Sequence, residues 1–453
     1  MSRKLFGTDG IRGRANIYPM TGEIAFALGR AATSYFQNKT KSKTPLIIIG
    51  KDTRLSCYML EQAFSAGVCS QGGRAILTGP MPTPGVAFVT QSMRADAGVM
   101  ISASHNPYYD NGIKLFDRTG HKLPDSVELE LEQMVLNPEL ISTKLDDQLG
   151  RAKRLDEAMG RYIVQVKSAF TSDYNLEGMR LIVDGANGAG YKVAPLAFQE
   201  LGAEVISIGN SPDGTNINKG VGALHPETCA EKAQLYRADL GICLDGDGDR
   251  IAIIDDKGRV VDGDKLMGVL AKFLADTDSL NGCNEIVGTV MTNFGLEKYF
   301  EKVGLKLFRT KVGDRYIVER MLKSGSCFGG EPSGHLVFKK HTTTGDGILA
   351  ALKVIECVKH YDRPLSELVD EIELYPQTMK NVSVKVKKPF DELPEVEKAV
   401  ESVNQKLDGT GRVLLRYSGT ENLARVMVEG EDEVLVGECC EELVGVVQSN
   451  LAK

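Results

Sequence analysis

TPLIIIGKDTRLS, Thr44 to Ser56, holds an apolar run that breaks at Gly50 and enters a polar loop with Lys51 and Arg54. A helical stretch follows, CYMLEQAFSAGVCSQ (Cys57–Gln71), then a glycine stop and a second apolar run, GGRAILTG (Gly72–Gly79). A short apolar run bounded by turn residues reads as a buried strand, and strand–loop–helix–strand is the order of a crossover unit. The plan returns in MRLIVDGANGAG, YKVAPLAFQEL and GAEVISIG (Met179–Gly209). It returns again in EIVGTVMTNFG, LEKYFEKV and GLKLFRTKVG (Glu285–Gly313). Three such units predict three related α/β domains.

The C-terminal part differs. It reads as strand (VSVKV), helix (Asp391 to Leu407), two strands (RVLLRY and ARVMVEG) and a last helix (Asp432 to Leu451). That order predicts a smaller two-layer α+β domain with an antiparallel hairpin, joined through a linker near Leu374 to Asn381. The expected boundaries are 1–155, 156–257, 258–373 and 374–453. A length of 453 residues suits three or four domains.

Apolar residues make up 42% and charged residues 25%, the balance of a globular chain. With 54 basic and 61 acidic residues the net charge is −7, which argues against nucleic acid as a partner. An anionic substrate then requires cations concentrated in one place. Nine scattered cysteines without C-x-x-C spacing argue against a thiolate zinc site and for reduced thiols. No apolar run is long enough to span a membrane, and MSRKLFGTDG lacks a signal-peptide core, so the expected location is cytoplasmic.

LDGDGDRIAIID sets Asp245, Asp247 and Asp249 between two strand-like runs, alternating with glycine. Three adjacent carboxylates repel unless a cation joins them, and all-oxygen ligands suit Mg²⁺ or Ca²⁺. An EF-hand shares the D-x-D-x-D start but requires glycine where Arg250 stands, and helices where strands are expected. A solvated acidic turn is the competing reading. Arg250 beside a divalent ion is equipment for holding a phosphoryl group. GGEPSGH presents Glu331, Ser333 and His335, suited to sugar hydroxyls and proton exchange, although a polar loop would look the same. RYSGTEN brings Arg416, Ser418, Gly419 and Thr420 to a loop between two strands, the makings of a phosphate cradle or of a plain hairpin turn. GTDGIRG adds Arg12, GKDTRLS adds Lys51 and Arg54, and KVGDRY adds Arg315, all on loops after strands where α/β domains bind ligands.

ISASHNPYYDNGIK places Ser104 on a Pro- and Gly-punctuated loop ending at Lys114. With the stretches above it completes an ordered set that resembles the α-D-phosphohexomutase superfamily over nearly the whole chain. GTDGIRGRAN and KVGDRY are most similar to its bacterial phosphoglucosamine mutase branch. The resemblance implies four domains around a central cleft. It implies that Ser104 carries a phosphate and exchanges it with the 1- and 6-hydroxyls of a hexose phosphate through a hexose 1,6-bisphosphate, intermediate or activator. It implies Mg²⁺ on Asp245, Asp247, Asp249 and the Ser104 phosphate. Arg12, Lys114 and Arg250 would balance charge, and Lys114 or His335 would exchange the proton. Glu331, Ser333, Gly334, Asp314 and Arg315 would hold the sugar, and Arg416, Ser418, Gly419 and Thr420 the second phosphate. The implied reaction interconverts glucosamine 6-phosphate and glucosamine 1-phosphate, feeding UDP-N-acetylglucosamine and cell-wall synthesis. The alternative is a phosphomannomutase/phosphoglucomutase of the same mechanism. Sugar phosphates are the implied partners. A kinase or autophosphorylation would load Ser104, and the chain would be a monomer or homodimer. Two loops depart from the family pattern: GEPSGH at Pro332, and RYSGTEN at Tyr417 and Asn422.

Overall fold

The computed structural model describes residues 4–7, 9–418 and 422–451. Its first sheet holds β1 (Ile11–Arg14), β2 (Leu46–Lys51), β3 (Arg74–Pro80), β4 (Ala97–Ile101), β5 (Asp110–Asp117) and β6 (Arg151–Arg154), in the order β1-β5-β4-β2-β3-β6. β2 pairs in parallel with both β3 and β4, while β5 and β1 run antiparallel at one edge. The opening stretch is therefore β2 and the start of the helix Leu55–Ser70. Ile47, Ile48 and Ile49 are buried because the sheet is covered on both faces.

The second sheet, from β7 (Arg180–Asp184), β8 (Glu204–Ile208), β9 (Leu240–Leu244) and β10 (Ile251–Ile254), has the order β10-β9-β7-β8. The third, from β11 (Glu285–Thr289), β12 (Lys306–Thr310), β13 (Phe328–Gly330) and β14 (Leu336–Phe338), has the order β12-β11-β13-β14. Each keeps the parallel crossover pair, β7 with β8 and β11 with β12, and adds an antiparallel hairpin, β9–β10 or β13–β14. Those two hairpins carry the acidic loop and the GEPSGH loop.

One apolar cluster runs through the first three units, from Met100 through Val183 and Leu244 to Ile348. Their edges are thus held by packing as rigid as an interior. The C-terminal unit has its own core around Val403, Val426 and Leu443. It is an antiparallel sheet of β15 (Gln377–Ser383), β16 (Gly411–Tyr417) and β17 (Leu423–Gly430), covered by the helices Pro394–Leu407 and Glu433–Leu451. The expected linker is largely absent: Gln377–Asn381 already belongs to β15, paired from Gln377↔Glu429 to Ser383↔Leu423. The reason is that QTMKNVS is an edge strand with one buried side chain, Val382, so it shows no apolar alternation. Among the described residues no helix is long and apolar enough to cross a membrane, and the nine cysteines are all free.

Candidate active site

Ser104 stands just beyond β4, with φ of 54°, a left-handed conformation that costs a non-glycine residue about 1–3 kcal/mol. The loop is held from beneath. Arg54 donates from its guanidinium to the carbonyls of Ser104 (2.8 Å), Asn106 (2.9 Å) and Pro107 (2.7 Å), and through Nε to Asp52 Oδ2 (2.8 Å). Ser102 Oγ donates to Asp52 (2.6 Å) and accepts from the Ser104 N–H (2.9 Å). Arg54 is fully buried, and Lys51 is buried with its ammonium 3.6 Å from the Tyr58 ring centroid. Neither lines the cleft, which corrects the expectation drawn from their loop position. Arg54 builds the loop instead of meeting a ligand.

The acidic loop packs directly on this one. A Cβ at Gly246 would lie 2.4 Å from the Ser104 carbonyl oxygen, so only glycine permits the approach. Ser104 Oγ then donates to Asp245 Oδ2 at 2.6 Å. Asp247 Oδ2 accepts from Thr83 Oγ1 (2.7 Å) and Lys114 Nζ (2.9 Å). Carboxylate oxygens of Asp245, Asp247 and Asp249 lie within 4.8 Å of one another, all buried. Burial, then the charges of Asp249 and Asp247, push the Asp245 carboxyl well above its ordinary range. Burial opposes ionisation of Asp249 too, but Lys114, His335 and Arg250 outweigh it and hold that carboxyl low. Asp247 Oδ1 and Asp249 Oδ1 are buried and have no hydrogen-bond partner among the described residues. Three converging oxygen donors, two with an orphaned atom, fit a hard divalent cation.

These groups open onto a cleft of about 650 Å³. Arg12, Ser104, Lys114, Asp249, Arg250, Asp314, Arg315, Glu331 and His335 line it, so nine of the expected residues meet there. Lys114 is buried, and although burial disfavours its charge, Asp247, Asp9 and Asp249 raise its pKa and keep it protonated. His335 Nε2 accepts from the Gly345 N–H (2.9 Å), and its Nδ1 lies 3.8 Å from Asp249 Oδ1. Burial works against the imidazolium, but Asp249, Asp314 and Glu331 raise its pKa overall. Glu331 Oε1 accepts from the Gly313 N–H (3.0 Å), tying the GEPSGH loop to KVGDRY. Arg315 reaches out of its own unit to Asp125 and to Glu128 (2.9 Å).

Other expected residues lie elsewhere. Ser333 is exposed and outside the cleft lining. Gly334 packs on Ile251: its φ is +82°, and a Cβ would lie 1.8 Å from the Ile251 carbonyl oxygen. Arg416 and Ser418 sit at the end of β16, away from the Ser104 cleft, with Lys387 Nζ donating to the Ser418 carbonyl (2.7 Å). Tyr417 stacks on Phe390 at 4.4 Å. Gly419 and Thr420 fall outside the described residues.

Among the cleft residues that sequence reasoning missed, three lie against these charged groups. Asp9 pairs with Arg12, Lys122 and Lys114, and their charge outweighs burial to hold it well below the usual carboxylate range. Lys122 reaches Asp314 Oδ2 at 2.7 Å. His105, next to Ser104, is pushed down to about 4 by burial and by Arg250 and Arg12. Asp9 lies inside GTDGIRG and His105 inside ISASHNP, so their position was the available signal. Lys122 lies in no motif.

Four family descriptions match in order. They are phosphoglucomutase/phosphomannomutase alpha/beta/alpha domain I over residues 3–141, domain II over 160–258, domain III over 262–375 and the C-terminal domain over 379–446. The chain belongs to the phosphoglucomutase/phosphomannomutase family. Its members are phosphohexomutases, and this chain is an enzyme of that class. It is 50% identical to a phosphoglucosamine mutase of Lawsonia intracellularis, with 100% of each chain covered. It is 52% identical to one of Anaeromyxobacter over 95% of this chain and 92% of the relative. A family protein of Burkholderia thailandensis shares the fold at a TM-score of 0.81 and 21% identity, covering 98% and 97% of the two chains. So does an Aspergillus fumigatus N-acetylphosphoglucosamine mutase, solved with GlcNAc-6P and magnesium, at 0.71 and 18%, covering 99% and 96%. The phosphomannomutase/phosphoglucomutase alternative is not favoured by the relatives near 50% identity.

Proposed function

We propose that the mutase interconverts glucosamine 6-phosphate and glucosamine 1-phosphate, with Ser104 as the phosphate carrier. The observation that carries this is the Ser104 hydroxyl, 2.6 Å from Asp245 at the head of a cationic cleft. The names of the relatives near 50% identity support the amino sugar. The phosphoserine O–P bond breaks as the sugar hydroxyl oxygen forms its bond to phosphorus. The bisphosphate then turns round, and its other phosphate returns to Ser104. Such transfer needs alignment and charge more than covalent help.

Asp245, Asp247, Asp249 and the Ser104 phosphate would hold Mg²⁺, which supplies Lewis-acid charge to the phosphoryl oxygens when bound. Arg12 and Arg250 face the phosphoryl group from the cleft wall. Lys114, already protonated, gives a proton to the departing serine oxygen. His335 takes the proton of the attacking hydroxyl. Glu331, Asp314 and Arg315 orient the sugar, with Ser333 and Gly334 of the same loop. Arg416, Ser418, Gly419 and Thr420 hold the second phosphate when the C-terminal unit closes. A kinase or autophosphorylation loads Ser104, and the enzyme works in the cytoplasm, as monomer or homodimer, upstream of UDP-N-acetylglucosamine.

The test is ³¹P NMR of phosphorylated protein with Mg²⁺ and glucosamine 6-phosphate, with glucose 6-phosphate in parallel. Faster growth of glucosamine 1-phosphate supports the proposal. A faster glucose reaction overturns the sugar, and release of inorganic phosphate alone overturns the mutase.

A further inference from the structure

Lys122 lies between β5 and the helix Asp125–Leu136, pinned to β5 by an antiparallel bridge with Phe116. Its side chain is 10% exposed. The ammonium sits between Asp9 Oδ1, on the N-terminal loop, and Asp314 Oδ2 (2.7 Å), in the first turn of the helix Asp314–Ser324. Each carboxylate also touches a residue assigned above to the chemistry. Asp9 pairs with Arg12 and lies 3.4 Å from Lys114 Nζ; Asp314 Oδ2 lies 3.5 Å from His335 Nε2. His335 leads on to Asp249 (3.8 Å) and Asp249 back to Lys114 (3.7 Å). Six side chains thus form a ring of near neighbours, Lys114, Asp9, Lys122, Asp314, His335 and Asp249, closed between Asp314 and His335 by proximity alone because Nε2 accepts from the Gly345 N–H.

We propose that Lys122 is a positioning residue for phosphoryl transfer, holding the Arg12 loop of the first unit and His335 of the third in one frame. The inference rests on the mutase reading of Ser104. Within the ring, Lys122 is the cation that joins Asp9 to Asp314. Without it two partly buried carboxylates, Asp9 (26% exposed) and Asp314 (14% exposed), lose the cation that lies between them, and like charges held close together repel. Asp314 then has His335 as its remaining neighbour in the ring, and Asp9 draws Arg12 and Lys114 towards itself. Those three groups must meet a phosphoryl group within a fraction of an ångström, so their drift reaches the chemical step.

The experiment compares wild type, K122M, K122R, D314N and K122M/D314N by steady-state kinetics in both directions and by thermal unfolding with saturating Mg²⁺. The expected result for K122M is a roughly 100-fold loss of kcat, with KM for the sugar phosphate moving less than about threefold. K122R, which keeps the charge, should recover about tenfold of that loss. Because the two residues share one contact, K122M/D314N should lose less than the product of the two single losses, although the sugar contact of Asp314 adds a loss of its own. A raised KM with kcat intact would make Lys122 a direct phosphate ligand and overturn the proposal. A lowered Tm with kcat intact would make it merely structural and overturn the proposal too, as would additive losses. Should K122M fail to fold, K122Q carries the same comparison. If wild type itself shows no mutase turnover, the functional reading fails separately. The unfolding data then decide the ring: coupled Tm losses in K122M and D314N support it, and additive ones refute it.

Discussion

Replacing Arg54 with methionine tests whether the Ser104 loop owes its shape to what lies beneath it. The substitution removes one buried cation and four hydrogen bonds. Asp52, fully buried, keeps its bonds from Ser102, the Arg54 N–H and Cys57 but loses its counter-charge. Breaking one side of such a pair costs about 3–5 kcal/mol. The carbonyls of Ser104 and Asn106 retain Asn218 Nδ2 at 2.9 and 3.2 Å, so most of their satisfaction survives. A total of about 4 kcal/mol follows. For a cooperative unit of about 150 residues this lowers Tm by roughly 8–16 °C. The left-handed Ser104 has lost its main clamp and relaxes, so kcat should fall roughly 100-fold. The double variant R54M/D52N, which removes the orphaned charge, should regain stability but not activity. Differential scanning fluorimetry and the ³¹P assay read both quantities. An R54M enzyme melting within about 2 °C of wild type and turning over within about threefold would refute the reasoning.

S104A should fold normally, incorporate no phosphate and lose turnover entirely, as mass spectrometry and the ³¹P assay would show; retained turnover would move the nucleophile elsewhere. Mg²⁺ should raise the Tm of wild type and restore activity after chelation, while D247N should lose both responses, because the mutual repulsion of Asp245, Asp247 and Asp249 is what the ion relieves. Asp264 is pushed up to about 7 by burial, with Asp262 and Glu429 adding to the shift. Folding therefore favours its protonated form, and this contribution, complete below the unfolded carboxyl value of about 4, is lost as pH rises through about 7. Denaturation of wild type against D264N should show wild type losing roughly 1 kcal/mol more per pH unit between about pH 5 and 7; parallel profiles would refute it. Solution scattering should show contraction with saturating sugar phosphate if the C-terminal unit brings Arg416 and Ser418 to the cleft.

The parts of this enzyme that were legible in its sequence are those whose causes are local. Three crossover units announced themselves because each buried strand is one continuous apolar run, as at Leu46–Ile49. The acidic cluster was legible because its three carboxylates lie within five residues, and one tight turn between β9 and β10 aims them together. Gln377–Ser383 was not, because an edge strand of polar residues is fixed by β17, nearly fifty residues on. Arg54 shows the same limit at a single side chain. Its sequence neighbours announce a charged loop after a strand, which describes a ligand-binding arginine and a buried structural one equally well. The choice is made by carbonyls at 104, 106 and 107, which form a pocket only once β5 has folded back along β4. Lys122 is the sharper case, since both its partners come from distant segments and its own surroundings, TGHKLP, contain no motif. A phosphoryl-transfer site needs its charges balanced across domain boundaries. Local motifs can name the groups that meet the substrate, but the groups that hold those motifs in register with one another are specified only by the assembled fold.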